Sequence, residues 1–343
     1  MRQLYVVLCT VLCFAAPARA QEDTAIFGNG DTPFLIRSTT DIAIIRPVMD
    51  AFVQTRPDLA VTYEQWGSNA LFDRSKRDCT TDAGSADAIL SSAVHQMVWL
   101  VNAACARSYR SATTLALPES RRWRDEIWGV TSEPAVIVYN KAALADIDIP
   151  RSRFALLDAM RTYPETFRGR IATYDIAASG LGYLFAFSDS IEATTFGALL
   201  ESFDRIDAVA TCCSAEIIAG VAEGRYVAAY NVLGSYAASA GRSEIGIILP
   251  EDYTLILSRA YMIPKGAQQP TAATDLIDFL LSDAAQQLLV QVGLANAMDT
   301  AETGLQPSAR RTIALSPRLL VALDAHRRQQ MLNSWEATFD AAR

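Results

Sequence analysis

Short β-type runs alternate with amphipathic helical stretches along most of this chain. That alternation leaves few architectures open, chiefly a parallel sheet with helices packed on its faces. Pro33-Phe34-Leu35-Ile36-Arg37-Ser38 is an extended run ending in polar residues. Asp41 to Phe52 then carries Ile42, Ile45, Met49 and Phe52 at spacings of three and four, a helical period interrupted by Pro47. Leu59 to Glu64 gives a second strand with a loop at Gln65 to Asn69, and Ala86 to Leu90 gives a third strand that ends at Ser91-Ser92. A second βα series begins at Arg170 to Tyr174, turns at Ala177-Ala178-Ser179-Gly180 and continues through the runs Tyr226 to Asn231 and Ile245 to Pro250.

Between the two series the period changes. Trp128 to Thr131 and Ala135 to Tyr139 are extended runs around Ser132-Glu133-Pro134, and Thr254 to Ser258 with Ala260 to Pro264 form a second such pair. The chain is therefore expected to build half of one lobe, cross, build another, and cross back, so that the two crossings make a hinge. We divide it into residues 1–20, a signal peptide; 21–133 plus 253–283, a discontinuous first lobe; 134–252, the second lobe; and 284–343, helices packing on the lobes. The length of 343 residues suits two domains with separate cores.

Arg2, the apolar run Leu4 to Phe14 and the small residues of Ala18-Arg19-Ala20 have the layout of a cleaved export signal, with Gln21 as the mature start. The apolar run is too short to span a bilayer. Export to an oxidising compartment makes Cys79, Cys105, Cys212 and Cys213 candidates for disulfides. Cys79 and Cys105 fall in one lobe; Cys212 and Cys213 are adjacent, and three pairings stay open. No Cys-Xaa-Xaa-Cys or neighbouring histidine points to zinc, so no metal or cofactor is expected. The formal net charge of -8 argues against nucleic acid as a partner.

Several stretches carry a family likeness: Asp87 to Ala93; Ser132 to Lys141; Thr173-Tyr174-Asp175 with Ser179 to Tyr183; Ala229-Tyr230-Asn231; and Ile263 to Ala267 followed by Ala272 to Ser282. In their order and spacing, over nearly the whole mature chain, they resemble the periplasmic solute-binding proteins of ABC importers. The likeness is strongest to the ferric-iron branch, which also contains binders of phosphorylated and other anionic metabolites. The resemblance implies an α/β fold of the type II two-lobe kind, a two-strand hinge, a ligand cleft between the lobes, and an ABC permease in the inner membrane as partner. A membrane sensor kinase is the alternative partner, and the protein is expected to be a monomer.

The iron binders of that branch resemble one another in a consecutive tyrosine pair on the second lobe, often helped by His or Glu from the first. Here the corresponding run is Tyr230-Asn231, the first-lobe position reads Ser38-Thr39-Thr40, and the mature chain has only His95 and His326. Ferric ion favours several anionic oxygen donors, so an organic or phosphate anion is preferred and ferric transport is kept as the alternative.

Strand ends that turn into helices are where open α/β sheets bind ligands. Ser38-Thr39-Thr40, Ser91-Ser92 and Ser179-Gly180 lie at such ends. Each sets hydroxyls beside helix-start N–H groups that attract an anion, although Ser and Thr there also serve as plain N-caps. Tyr230 and Asn231 end a strand of the second lobe and could reach the ligand, Tyr230 being equally readable as an interior tyrosine with a satisfied hydroxyl; Trp66 could wall the cleft or belong to the core; and Arg259 is the candidate clamp for a carboxylate or, equally, a surface residue paired with an acid. Tyr253 is a candidate hinge residue. His95 is expected to face solvent or pack, and His326 to lie on a solvated helix. With no nucleophile elbow and so little histidine, the chain is expected to bind without catalysis.

Overall fold

The structure is a computed structural model that describes residues 21–81, 84–295 and 306–339. The expected signal peptide and the last four residues lie outside the described residues. Two mixed sheets form two lobes. The first is built from β1 (Gln21–Phe27), β2 (Thr32–Ser38), β3 (Leu59–Trp66), β4 (Ala88–Ser91), β5 (Arg122–Trp123), β6 (Ile127–Gly129) and β13 (Ala260–Met262), in the order β1-β3-β2-β4-β13-β6-β5. The second is built from β7 (Glu133–Asn140), β8 (Ile171–Tyr174), β9 (Val209–Thr211), β10 (Ala228–Leu233), β11 (Ile245–Ile248), β12 (Thr254–Leu257) and β14 (Arg310–Thr312). Its order is β14-β12-β7-β10-β8-β9, with β11 added beside β7.

Parallel strands need crossover helices. In the first lobe α1 (Ile42–Thr55) joins β2 to β3, and α2 (Ser68–Thr81) joins β3 to β4. α1 buries Ile42, Ile45, Val48, Met49 and Phe52, the stripe visible in the sequence, and continues through Pro47. α3 (Val94–Asn102) follows β4 and is buried on nearly every side because it sits between the lobes. In the second lobe α5 (Arg153–Thr162) and α6 (Pro164–Phe167) precede β8, and α7 (Gly180–Glu192), α8 (Phe196–Arg205), α9 (Ser214–Ala222) and α10 (Gly234–Ser239) follow β8, α7, β9 and β10. In the first lobe α4 (Ala112–Ala116) precedes β5. α11 (Pro270–Leu280) and α12 (Asp283–Gln291) pack on the first lobe, and α13 (Ala325–Phe339) packs through Trp335 and Phe339 on the second.

The crossings lie side by side. β7 pairs with β12 (Ile256 with Pro134, Leu257 with Glu133), and beyond them β6 pairs with β13 (Ala260 with Gly129). The Val130 amide donates to the Arg259 carbonyl at 2.9 Å between the two pairs. The expected boundary needs one correction: Thr254–Leu257 belongs to the second sheet, so the return crossing falls between Leu257 and Ala260 rather than at residue 253. A hydrophobic strand is sorted by the strands it pairs with, which sequence position does not reveal. One apolar cluster fills each lobe, and a third joins α3 residues such as Val94 and Met97 to Leu184 and Leu255 of the other lobe.

Candidate functional site

β2 and β4 are parallel neighbours with Ser38 beside Leu90, so the turns that end them lie side by side. Ser38 Oγ accepts from the Thr40 amide at 3.0 Å, and Ser91 Oγ accepts from the Ala93 amide at 3.2 Å. Both serines are buried and neither lines the space between the lobes. Thr39 Oγ1 accepts from the Ser92 amide at 2.9 Å and lies 3.1 Å from Ser92 Oγ. Thr39 and Ser92 are the members of the two turns that line the space between the lobes.

The second lobe answers from α7 and α9. Ser179 caps α7, its Oγ accepting from the Gly182 amide at 3.0 Å. The Gly180 amide donates across the cleft to Ser68 Oγ at 2.9 Å, while Asn69 Nδ2 donates to the carbonyls of Ala177 (2.9 Å) and Ala178 (3.0 Å). A Cβ on Gly180 would come within 2.6 Å of Gln96 Nε2 and 3.0 Å of Asn69 Oδ1 and Ser68 Oγ, so a larger residue would have to displace those side chains. Gly180 therefore latches the lobes and is not part of the cavity lining. At the start of α9, Cys213 provides no side-chain cap. Tyr174 OH and Ser214 Oγ share a hydrogen bond of 2.6 Å. From α10, Tyr236 OH reaches the first lobe and donates to Asp41 Oδ1 at 2.8 Å. These groups enclose a cavity of about 210 Å³ with residues of both lobes in its wall. Thr39, Trp66, Ser92, Ser179 and Arg259 are the expected site residues found there.

Arg259 is paired with an acid, the alternative to the clamp, but in the interior rather than at the surface. Its Nε and Nη2 donate to the two oxygens of Glu133 at 2.8 and 3.1 Å, and Nη1 donates to Thr40 Oγ1 at 2.9 Å. Both side chains of the pair are fully buried. Burial works against the guanidinium charge, and the Glu133 carboxylate overrides it, holding Arg259 above its ordinary pKa. Arg259 is thus a neutralised strut at the hinge with an edge in the cavity, not a free clamp. Glu133 was missed because its role depends on a pairing across the hinge. Thr131 Oγ1 and Ser235 Oγ also donate to it, at 2.7 and 2.5 Å.

Tyr230 and Asn231 need a second correction. They lie in a separate buried network inside the second lobe and do not line the inter-lobe cavity. Tyr230 OH and Asn231 Nδ2 each donate to Asp189 Oδ2 at 2.6 Å, and Tyr253 OH donates to Asp189 Oδ1 at 2.7 Å. Arg153 Nε donates to Tyr230 OH at 2.6 Å, and Arg153 Nη2 lies 3.2 Å from Asp189. The β10–β7 register shifts between Ala229 and Val232, and Asn231 has φ of +57°, so the strand irregularity carries these side chains into the lobe interior. The cavity's tyrosines are instead Tyr174 and Tyr236. Burial pushes Tyr174 up to about 12 and Tyr236 higher still, which keeps both hydroxyls protonated.

The cysteines form Cys79–Cys105 and Cys212–Cys213 disulfides. The second is exposed in the cavity wall. Cys212, Cys213 and Glu216 are the group of metal-ligating residue types gathered closely enough among the described residues, but both sulfurs are bonded to each other. His95 is buried against Tyr183, with ring centroids 5.7 Å apart, and burial drops its pKa to about 3.

Two α/β lobes, a paired-strand hinge and a polar cavity walled by both lobes define a binding protein that encloses its ligand by closure. A family model described as bacterial extracellular solute-binding protein matches residues 37–287, and the chain belongs to that family. It is a solute-binding protein of an ABC transporter. The substrate-binding protein of an ABC transporter from Agrobacterium tumefaciens is 28% identical, with a TM-score of 0.87 over 94% of this chain and 100% of that one. AfuA from Actinobacillus pleuropneumoniae, solved with exogenous fructose-6-phosphate, shares the fold at 14% identity and a TM-score of 0.71, over 91% and 99% of the two chains. Apo ferric ion-binding protein A from Pasteurella haemolytica shares it at 17% identity and a TM-score of 0.64, over 90% and 96%. No curated protein sequence matches the chain.

Proposed function

We propose that this protein, exported to the periplasm behind its N-terminal signal, captures a small anionic solute in the inter-lobe cavity and presents it to an inner-membrane ABC permease. The solute is a carboxylate or a phosphorylated metabolite, bound without chemical change. One observation carries the reading: hydroxyls and helix starts from both lobes share one cavity, namely Thr39 and Ser92 from the first and Ser179 and Ser214 from the second. Helix starts have unsatisfied N–H groups and a partial positive charge, so an oxyanion there gains hydrogen bonds without a full counter-charge. Since the donors come from two lobes, binding favours the closed form by the difference in contacts between the two states.

Ferric transport is less well supported. Tyr174 and Tyr236 are the phenols at hand, and each is engaged by a neighbour while protonated. The test is a thermal-shift and calorimetric screen of purified protein with short carboxylates, phosphonates, phosphorylated metabolites and ferric citrate. Saturating anion should raise the melting temperature as mass action requires. Ser179→Leu should abolish that rise while costing about 1 kcal/mol of stability through the lost cap. Stabilisation by iron alone, with a tyrosinate charge-transfer band, would overturn the reading.

A further inference from the structure

The inter-lobe cavity is lined by the carboxylates of Glu22 and Asp41 and by one basic side chain, Arg259, whose charge Glu133 already takes. A purely anionic solute would meet two like charges with only neutral donors in its favour. The half-buried Asp41 opposes such a solute more than the exposed Glu22, whose charge water and salt screen.

Asp41 stands at the N-cap of α1, where an aspartate ordinarily accepts from the first free amides of the helix. It makes no such bond. Gln65 Oε1 satisfies the Ile42 amide instead, at 2.9 Å. The Asp41 carboxylate is turned to Tyr236 OH at 2.8 Å and Gln65 Nε2 at 3.5 Å. The same Gln65 amide donates to Glu22 at 3.0 Å, which ties the two carboxylates to one edge of the cavity. Neither has an ion-pair partner among the described residues. Trp66 lines the same space, and an aromatic face attracts an ammonium group. A helix gives up its cap here to keep a negative charge facing the ligand space.

We infer that the solute is a small zwitterion, whose ammonium group is held by Asp41, Glu22 and Trp66; the inference rests on the capture of an anion proposed above. The anionic end is taken by Thr39, Ser92 and the uncapped start of α9 at Ser214 and Ala215.

The test is calorimetric titration at neutral pH with matched pairs: 3-aminopropanoate against propanoate, 4-aminobutanoate against butanoate, and 2-aminoethylphosphonate against ethylphosphonate. Ferric citrate is a further arm. At least one amino compound should bind about tenfold or more tightly than its deaminated partner, the preference an uncompensated carboxylate pair supplies. Asp41→Asn and Glu22→Gln should each erase most of that preference without weakening the deaminated partner. Glu22 is exposed, so its variant stays informative if the Asp41 variant folds poorly. Equal or tighter binding of the deaminated anions would sink the zwitterion and leave anion capture standing. Binding of iron alone, or of nothing in the panel, would reject both.

Discussion

Glu133→Gln is the substitution that most directly tests how the hinge is held. The Glu133 carboxylate accepts four hydrogen bonds, from Arg259 Nε and Nη2, Thr131 Oγ1 and Ser235 Oγ. An amide has the same shape with one acceptor atom and one donor. Whichever way it is turned, its NH2 confronts a guanidinium N–H that cannot become an acceptor. Arg259 then keeps a buried charge with its counter-charge gone and half of its acceptor atoms lost. Breaking one side of a buried pair costs about 3–5 kcal/mol, chiefly through the uncompensated partner. At about 2–4 °C per kcal/mol for domains of this size, the melting temperature should fall by roughly 6–20 °C. Scanning calorimetry and urea titration of the ligand-free protein read it, with an unchanged m-value marking a stability effect. The double variant Glu133→Leu with Arg259→Met should lose less than the single one, since replacing a whole buried pair with apolar groups is often neutral. A single variant within about 1 kcal/mol of wild type would refute the reasoning, because a solvated surface pair behaves that way.

Tyr230→Phe removes a hydroxyl shared by Arg153 and Asp189; it should cost about 1–3 kcal/mol yet leave ligand affinity within about twofold, and a large affinity loss would return Tyr230 to the cleft. Cys79→Ser with Cys105→Ser opens a loop of sequence separation 26, for which the chain-entropy account gives about 3.5 kcal/mol; denaturant midpoints with and without the substitutions check it. His95 is held neutral, with its pKa lowered to about 3 by burial, while the unfolded chain binds its proton near the ordinary value of 6.5. Stability should therefore be lost as pH falls between those values, at up to about 1.4 kcal/mol per pH unit from this group. His95→Phe should flatten that part of the profile, and an unaltered acid limb would contradict the assignment.

The sequence by itself determined the class of fold and most of its parts. Alternation of periods two and 3.6 placed β2, α1, β3, β4, β8 and β10 within a few residues, because each buries one face and that need is written locally. Polar turns at the ends of β2, β4 and β8 marked where the cleft would lie, and five of the expected residues line it. What only the tertiary structure decided was which polar groups remained available. Ser38 and Ser91 are buried outside the cavity, Arg259 is paired with Glu133, and Tyr230 and Asn231 are bound to Asp189. Conversely, Asp41, Tyr236, Ser68 and Glu22 reach the cavity or its rim through pairings made across the cleft or between neighbouring strands. A side chain's residue type fixes the hydrogen bonds it can make. Whether a ligand finds them free depends on neighbours brought from far along the chain, such as the 126 residues that separate Glu133 from Arg259.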